Sequence, residues 1–245
     1  MLIDTTYFYA PPDAFRRGNI SFSEEETHHL ATVLRIREGD EFFVTDGFGK
    51  LFRCRLEKGR SEYASASIIS EEESISQPTI RICLAMGILK NKQMEIALDW
   101  STQLGIVEFV PLLANFSEHE MGTEGAYLER FQKIAIRAIK QSKSVWLPEI
   151  SEKSSLAEFL KFRAKDFDGL LYADISGVPS LPKRMAVPET KLAIIIGPEG
   201  GLSSAEQAEL TEYGAIPFSL GHARLRSETA AVLAVAKVLA LSGNL

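Results

Sequence analysis

Two short segments near the C-terminus concentrate the side chains best suited to chemistry. They are Gly197-Pro198-Glu199-Gly200-Gly201 and Leu220-Gly221-His222-Ala223-Arg224-Leu225-Arg226-Ser227-Glu228-Thr229. Glycines at a turn let backbone N–H and C=O groups approach a ligand closely. Arg224, Arg226 and Glu228 fall within five residues of one another. Together the segments suit one composite site for a small polar cofactor and an anionic substrate. Taken alone, the glycine turn is equally a tight connection, because Ser203-Ser204-Ala205-Glu206 has the pattern of a capping box. For the arginines the alternative is a solvated charged loop, although a nearly all-apolar helix is an unusual continuation of one.

The elements that must position these segments can be read around them. An apolar, strand-like run precedes each, Leu192 to Ile196 and Ile216 to Leu220, and a helix-like stretch follows each, with Ser203 and Ser227 as the expected caps. If the two strands are neighbours, both turns meet at the carboxyl edge of one sheet, where open α/β sheets bind ligands. Upstream, strand-like Thr79 to Ala85, Glu108 to Leu112 and Gly169 to Ala173 alternate with helical Lys92 to Leu104, Glu124 to Ser142 and Leu156 to Ala164. That alternation predicts an α/β domain with a mainly parallel sheet. Residues 1 to about 72 read instead as strands with one short helix, including a hairpin through Asp46-Gly47-Phe48-Gly49-Lys50. Arg53 and Arg55 point to one face of its second strand, with Arg35, Arg37 and Lys50 nearby in sequence. The polar, acidic stretch from Glu71 to Pro78 is the expected linker, dividing a domain of residues 1–73 from one of residues 74–245.

Composition bounds what the site can serve. Apolar residues at 45% and charged residues at 24% fit a globular chain with a sizeable core. The longest apolar tract, Ala230 to Leu241, is interrupted by Lys237 and too short for a membrane span. The first residues have neither the basic start nor the apolar run of a signal peptide. Cys54 and Cys83 lie far apart and fit reduced cytoplasmic thiols. The four histidines, His28, His29, His119 and His222, form no plausible metal cluster, and the common nucleotide, zinc-protease and hydrolase motifs are missing.

A net charge of −6 does not announce a nucleic-acid binder, so distribution matters. Residues up to Glu73 carry 9 basic and 14 acidic side chains, and the remainder 18 and 19. Any RNA surface must therefore be local. Arg130, Lys133, Arg137, Lys140 and Lys143 recur at spacings of three and four, along one face of a helix with no acidic residue from Phe131 to Trp146. Such a stripe can meet phosphates, or be an ordinary solvated helix face. The last helix is apolar almost all round and must be covered on every side, for which a second subunit is the expected means. Val235 and Leu239, four residues apart, are the positions expected at that interface.

The motifs taken jointly carry a resemblance. Strand–GPEGG–LSxxE followed by strand–LGxxRLRxETA is similar to the C-terminal signature of the SPOUT methyltransferases, and within them to the RsmE family. His28-His29-Leu30, Val33-Leu34-Arg35, Gly39-Asp40 and Asp46-Gly47 resemble that family's N-terminal domain. Gln103-Leu104-Gly105, Phe109-Val110-Pro111-Leu112, Lys133-Ile134-Ala135 and Gln141-Ser142 resemble its middle section, so the likeness covers nearly the whole chain. The chain departs from the pattern at His222, usually proline, at Lys143-Ser144, usually Gly-Arg, and at Lys90-Asn91-Lys92-Gln93-Met94, usually Lys-Gly-x-x-Met.

The resemblance implies a knotted (trefoil), mainly parallel SPOUT domain preceded by a small PUA-like β-barrel that helps to hold RNA. It implies a cytoplasmic homodimer that methylates N3 of a uridine in 16S ribosomal RNA of the small ribosomal subunit, using S-adenosylmethionine. Gly197, Pro198, Glu199, Gly200, Gly201, Leu220, Gly221, Leu225 and Thr229 would then bind the cofactor. Arg226, or else Arg224, would stabilise the deprotonated uracil. Glu228 or Glu199 would take the proton, or Glu228 would only fix an arginine and Glu199 only brace the turn. Arg35, Arg37, Arg53, Arg55, Arg137 and Lys140 would contact RNA. The rival readings are a non-catalytic RNA-binding assembly factor and a SPOUT enzyme acting on transfer RNA.

Overall fold

A computed structural model of the protein describes residues 2–59, 63–72, 78–117 and 122–245; most of the expected linker, the expected boundary at 73/74 and His119 lie outside the described residues. The chain divides into two compact units, Met1–Ser76 with Ile136–Leu147, and Gln77–Ala135 with Pro148–Leu245.

The first unit holds β1 (Leu2–Tyr9), β2 (Phe15–Arg16), β3 (Asn19–Ser21), α1 (Glu24–His28), β4 (Glu41–Thr45), β5 (Leu51–Lys58) and β6 (Ser65–Glu72). They form one sheet in the order β1-β4-β5-β6-β3-β2, an open path with β1 and β2 at its ends. Alternate residues Phe42, Val44, Phe52, Cys54 and Leu56 point inward and pack with Phe8, Ile20, Phe22 and Leu30. One component of this unit was not foreseen, the segment Ile136–Leu147. The β4–β5 turn binds it: Gly49 N–H donates to the Val145 carbonyl (2.9 Å) and Leu147 N–H to the Gly47 carbonyl (2.9 Å). Gly49, at φ +101, could carry no side chain there, because a Cβ would overlap the Trp146 ring.

The second unit is a three-layer α/β domain. Its strands are β7 (Arg81–Gly87), β8 (Glu108–Leu113), β9 (Glu149–Ile150), β10 (Ser154–Ser155), β11 (Gly169–Val178), β12 (Lys191–Ile196) and β13 (Ile216–Phe218). Every pairing is parallel, in the order β10-β8-β7-β12-β11-β13 with β9 also against β8. The central strands are apolar on both faces because both are covered. Ile82, Leu84, Met86, Leu192, Ile194 and Ile196 meet α2 (Asn91–Gln103), the first part of α3 (Glu124–Ser142) and α6 (Ser227–Leu241). Cys83, Ala85, Ala193 and Ile195 meet α4 (Leu156–Arg163) and α5 (Ser204–Glu212). Among the described residues no helix is long and apolar enough to cross a membrane.

The last helix corrects one expectation. Val235 and Leu239 are buried within the single chain against the sheet, together with Ala231, Ala234 and Val238. The large apolar side chains α6 leaves exposed are Leu233 and Leu241, and its packing partner α2 leaves Trp100 exposed. Charges at Val235 or Leu239 would thus unfold the domain rather than separate subunits.

At the opposite end of the strands from their carboxyl edge, β8 begins on a buried carboxylate. Glu108 accepts both guanidinium N–H groups of Arg163 (3.0 and 2.9 Å) and the Ser151 hydroxyl (2.6 Å). Burial pushes its pKa up, but the bonds and charge of Arg163 and the Ser151 bond outweigh this and hold it below the ordinary 4.5. A lowered carboxylate pKa stabilises the fold above the unfolded-state value, and that contribution is lost as pH falls through the folded one. Glu108→Gln should therefore cost about 2 kcal/mol at neutral pH, less than a fully buried pair because Arg163 is a third exposed. Urea denaturation across a pH series should show the deficit shrinking below about pH 4.

Candidate active site

Two turns at the carboxyl edge build the site, though their strands are not neighbours. β11 lies between β12 and β13. It also runs five residues beyond the expected Ala173, and Ala173 and Val178 both pair with Phe218, so residues 174–177 loop out over the edge. This bulge sets Asp174 and Ile175 between the turns, and both line the cavity formed there. Neither stood out in the sequence, where the strand seemed to end before them.

The first turn follows β12. Gly201, at φ +79, donates its N–H to the Pro198 carbonyl (2.8 Å) and closes the turn. A Cβ on Gly197 would lie 2.9 Å from the Gly201 carbonyl carbon and the Leu202 nitrogen, so only glycine fits. The expected capping box is present: Ser203 Oγ accepts from Glu206 N–H (3.3 Å), and Glu206 Oε2 accepts from Ser203 N–H (2.8 Å). The box has a further partner from the loop after β8. Asn115 donates its backbone N–H to Glu206 Oε1 (2.8 Å) and its side-chain amide to Ser203 Oγ (2.8 Å). Thus the capping box and a close backbone approach are both real, and neither excludes the other.

The second turn follows β13 and ends at α6, whose N-cap is Arg226 rather than the expected Ser227, with no side-chain cap bond. Lys237, which interrupts the apolar face of α6, donates its ammonium to the Ser219 carbonyl (2.7 Å) and lies over the Phe218 ring. Its charge holds the start of the turn, a role periodicity could not reveal.

The resulting cavity has a volume of about 410 Å3. Backbone of Gly197, Gly201 and Gly221 forms one part of its wall, and Ile175, Leu220 and Leu225 form apolar parts. Asp174 and Glu199 supply carboxylates, so the cavity suits a cationic or hydroxyl-bearing ligand with an apolar body. Of the expected cofactor residues, Gly197, Pro198, Glu199, Gly201, Leu220, Gly221 and Leu225 line it. Gly200 and Thr229 do not. Gly200 turns toward the β8 loop, where a Cβ would lie 2.7 Å from Phe116 Cβ. Thr229 is exposed, turned away from Ser227 and Ala230, which face the cavity on the same first turn of α6.

A second cleft, of about 530 Å3, adjoins this cavity and shares Glu199, Arg224, Leu225 and Ser227 with it. Arg226 and Glu228 open into it, and α2 contributes Gln93. Among the described residues the side chains of Glu199, Arg224, Arg226 and Glu228 form no hydrogen bond or ion pair with the protein, so neither carboxylate clamps an arginine. Two donors and two acceptors are left to face a ligand.

The expected RNA residues are distributed unevenly. Arg35, in the left-handed region at φ 54, and Arg37 are exposed and line a cleft of about 790 Å3 in the first unit. Arg53 and Arg55 share one face, as read, but both bind Glu41 (Nε–Oε2 2.8 Å and Nη2–Oε1 2.9 Å). Lys140 is a correction: its ammonium is buried, pairs with Glu26 and approaches His29 Nδ1 (3.3 Å). Burial raises the Glu26 pKa and lowers that of His29. Arg130 and Lys133 are paired too, with Glu95 (3.3 Å) and Glu129 (2.7 Å). Glu129 lies one turn before Lys133 on α3 itself, whereas Glu26 and Glu95 come from other elements, which a local spacing argument could not see. Arg137 lies on the segment of α3 that belongs to the first unit.

A parallel sheet with a ligand cavity at its carboxyl edge and a basic, carboxylate-bearing cleft beside it defines the class. Residues 76–239 match the RNA methyltransferase domain family and residues 22–69 the RNA methyltransferase PUA domain family. The chain belongs to the ribosomal RNA small subunit methyltransferase E family. It is 31% identical over 232 residues to the member from Bacillus subtilis, covering 89% of this chain and 88% of the relative. It is 30% identical to the member from Aquifex aeolicus, covering 89% and 93%. Among solved structures, the ribosomal RNA small subunit methyltransferase E from Neisseria gonorrhoeae bound to S-adenosyl methionine superimposes with a TM-score of 0.86. That protein is 27% identical, and the match covers 97% of this chain and 98% of that one.

Proposed function

We propose that the protein transfers a methyl group from S-adenosylmethionine to N3 of a uridine in 16S ribosomal RNA. The observation that carries this reading is the shared wall: Glu199, Arg224, Leu225 and Ser227 border both the cavity and the cleft. A methyl donor and an acceptor base held there would touch. The cavity fits the cofactor in chemistry as well as size, since Asp174 and Glu199 complement its positive groups and hydroxyls while Ile175, Leu220 and Leu225 cover its apolar surface. When bound, that cofactor supplies an electrophilic methyl on a sulfonium.

The residues of the cleft then have separable tasks. N3 must lose its proton as the N–CH3 bond forms, and negative charge spreads over the ring nitrogen and carbonyl oxygens. The guanidinium of Arg226, with Arg224 as second candidate, stabilises that charge and makes the proton easier to lose. The proton passes to Glu228 or Glu199, directly or through water, and S-adenosylhomocysteine leaves. Positioning supplies much of the acceleration. Because N3 lies on the Watson–Crick edge, the target base must be unpaired or turned out of a helix. Arg35 and Arg37, with Arg53, Arg55 and Arg137, are proposed to meet RNA phosphates, and the enzyme is proposed to act in the cytoplasm on the small ribosomal subunit. The trefoil crossing implied by the family resemblance belongs to the same reading.

A second copy of the chain is proposed to cover Leu233, Leu241 and Trp100, which are 38%, 43% and 54% exposed. Leu233→Glu combined with Trp100→Glu should yield a folded monomer by light scattering and circular dichroism. A folded dimer would place the interface elsewhere. The methylation itself is tested in cells. Methylated N3 cannot pair, so reverse transcription of small-subunit RNA should stop at one uridine when the protein is present and read through when its gene is deleted. Stops that persist in the deletion strain would refute the assignment.

A further inference from the structure

The loop after β8 presents an aromatic ring that the mechanism above leaves unused. Phe116 is 57% exposed. Exposure alone is common among apolar side chains; what sets Phe116 apart is how firmly both of its neighbours are held. Asn115, before it, donates its backbone N–H to Glu206 Oε1 (2.8 Å) and its side-chain amide to Ser203 Oγ (2.8 Å), at the start of α5. Ser117, after it, is buried. Its Oγ accepts from the Ala114 N–H (3.0 Å) and donates to the Leu112 carbonyl (3.2 Å), and its own N–H donates to the Ala114 carbonyl (3.0 Å). The ring leans on the glycine turn, since a Cβ on Gly200 would lie 2.7 Å from Phe116 Cβ and 3.1 Å from its Cγ. The loop thus fixes the ring at its root and leaves a face open. Among the described residues no other ring or cation of the protein stacks on that face.

We infer that Phe116 stacks on the base of a nucleotide flanking the target uridine and so positions the RNA strand at the cleft. The inference rests on the reading of that cleft as the place of the uridine. Gly200, which carries the ring, directly follows Glu199, and Glu199 borders both the cavity and the cleft. Consecutive Cα atoms lie about 3.8 Å apart, so the ring stands beside the wall that holds the target base. A uridine turned out for reaction at N3 leaves its neighbours without a stacking partner on one side. A fixed aromatic face replaces that partner whatever the neighbouring base is, because every base has a π-face. The cofactor is not the occupant, since Phe116 does not line the cavity. Nor is the proposed second copy. It covers α2 and α6 on one face of the sheet, whereas Asn115 anchors the ring to α5 on the other. Phe116 takes no part in proton transfer; it holds the strand while Arg226 meets the base.

The test uses reconstituted small-subunit particles of natural sequence, or with an abasic sugar immediately before or immediately after the methylated uridine. Single-turnover methylation is compared at limiting particle concentration. On the natural particle Phe116→Ala should lose about 10- to 100-fold, as for removal of one stacked base. Phe116→Tyr, which keeps the ring, should stay close to wild type, and Phe116→Leu, apolar but not aromatic, should recover little. Wild-type protein should lose a comparable factor on one of the two abasic particles, and Phe116→Ala should lose nothing further on that particle, the coupling expected of a direct contact. S-adenosylmethionine affinity by calorimetry should be unchanged in all three variants, which also confirms folding. Full activity of Phe116→Ala, or losses that simply multiply on both abasic particles, would overturn the inference while leaving uridine methylation intact. Weakened cofactor binding would overturn it too, by making the ring a brace for the glycine turn. No methylation of the natural particle by wild-type protein would instead overturn the reading on which it rests.

Discussion

Replacing Arg226 by alanine is expected to lower single-turnover methylation about 100- to 1,000-fold, the usual cost of removing one donor aimed at developing charge. S-adenosylmethionine affinity should hardly change, because Arg226 lines the second cleft and not the cavity. An interaction made chiefly in the transition state appears in kcat rather than in ground-state binding. Arg226→Lys should rescue poorly, since a point charge replaces a planar fork of donors. Raising the pH should partly restore the alanine variant, because hydroxide then supplies the ionised base without help from the guanidinium. Unchanged turnover would remove Arg226 from the chemistry. Loss of RNA binding alone would make it a phosphate or base contact and pass its role to Arg224.

The second large effect concerns the cofactor. Gly197→Ala should weaken S-adenosylmethionine binding by about 10- to 100-fold, equivalent to the 1–3 kcal/mol of an overpacked contact. The added methyl has backbone on the far side of the turn 2.9 Å away, so the turn must open and displace Pro198, Glu199 and Gly201 from the cavity wall. Gly200→Ala is the control. Its methyl would meet Phe116, outside the cavity, so it should reduce thermal stability with a smaller effect on affinity. Isothermal titration and thermal melts of both variants separate the two glycines. Equal affinity losses would mean that the turn acts as one rigid body and that cavity lining does not predict binding.

These two glycines illustrate what sequence can and cannot convey. That the GPEGG segment is a tight turn between a strand and a capped helix was legible from the apolar run before it and the capping box after it, both of which are present. Which of its glycines line the cavity was not, because that depends on where the loop after β8 packs, and Phe116 of that loop is far from Gly200 in sequence. The same limit explains the other differences. Alternation found every strand of the parallel sheet except the two-residue β9 and β10, but strand order is a long-range property, and β11 came between the two site strands. An apolar run identified α6, yet only packing decides which of its faces meets the sheet, so Val235 and Leu239 proved to be core and Leu233 exposed. Charge spacing marked the basic face of α3, whereas Glu26 and Glu95, the acids that neutralise part of it, lie on other elements.

The central claim is that one chain holds donor and base so that methyl passes to uracil N3. Nucleoside analysis after reaction tests it most directly: unmodified small-subunit particles are incubated with the protein and S-adenosylmethionine bearing a labelled methyl group, then digested and resolved by mass spectrometry. The expected result is one labelled 3-methyluridine per particle, formed about 100- to 1,000-fold more slowly by the Arg226→Ala variant. Label on a ribose oxygen, on another base atom, or on no nucleoside at all would contradict it.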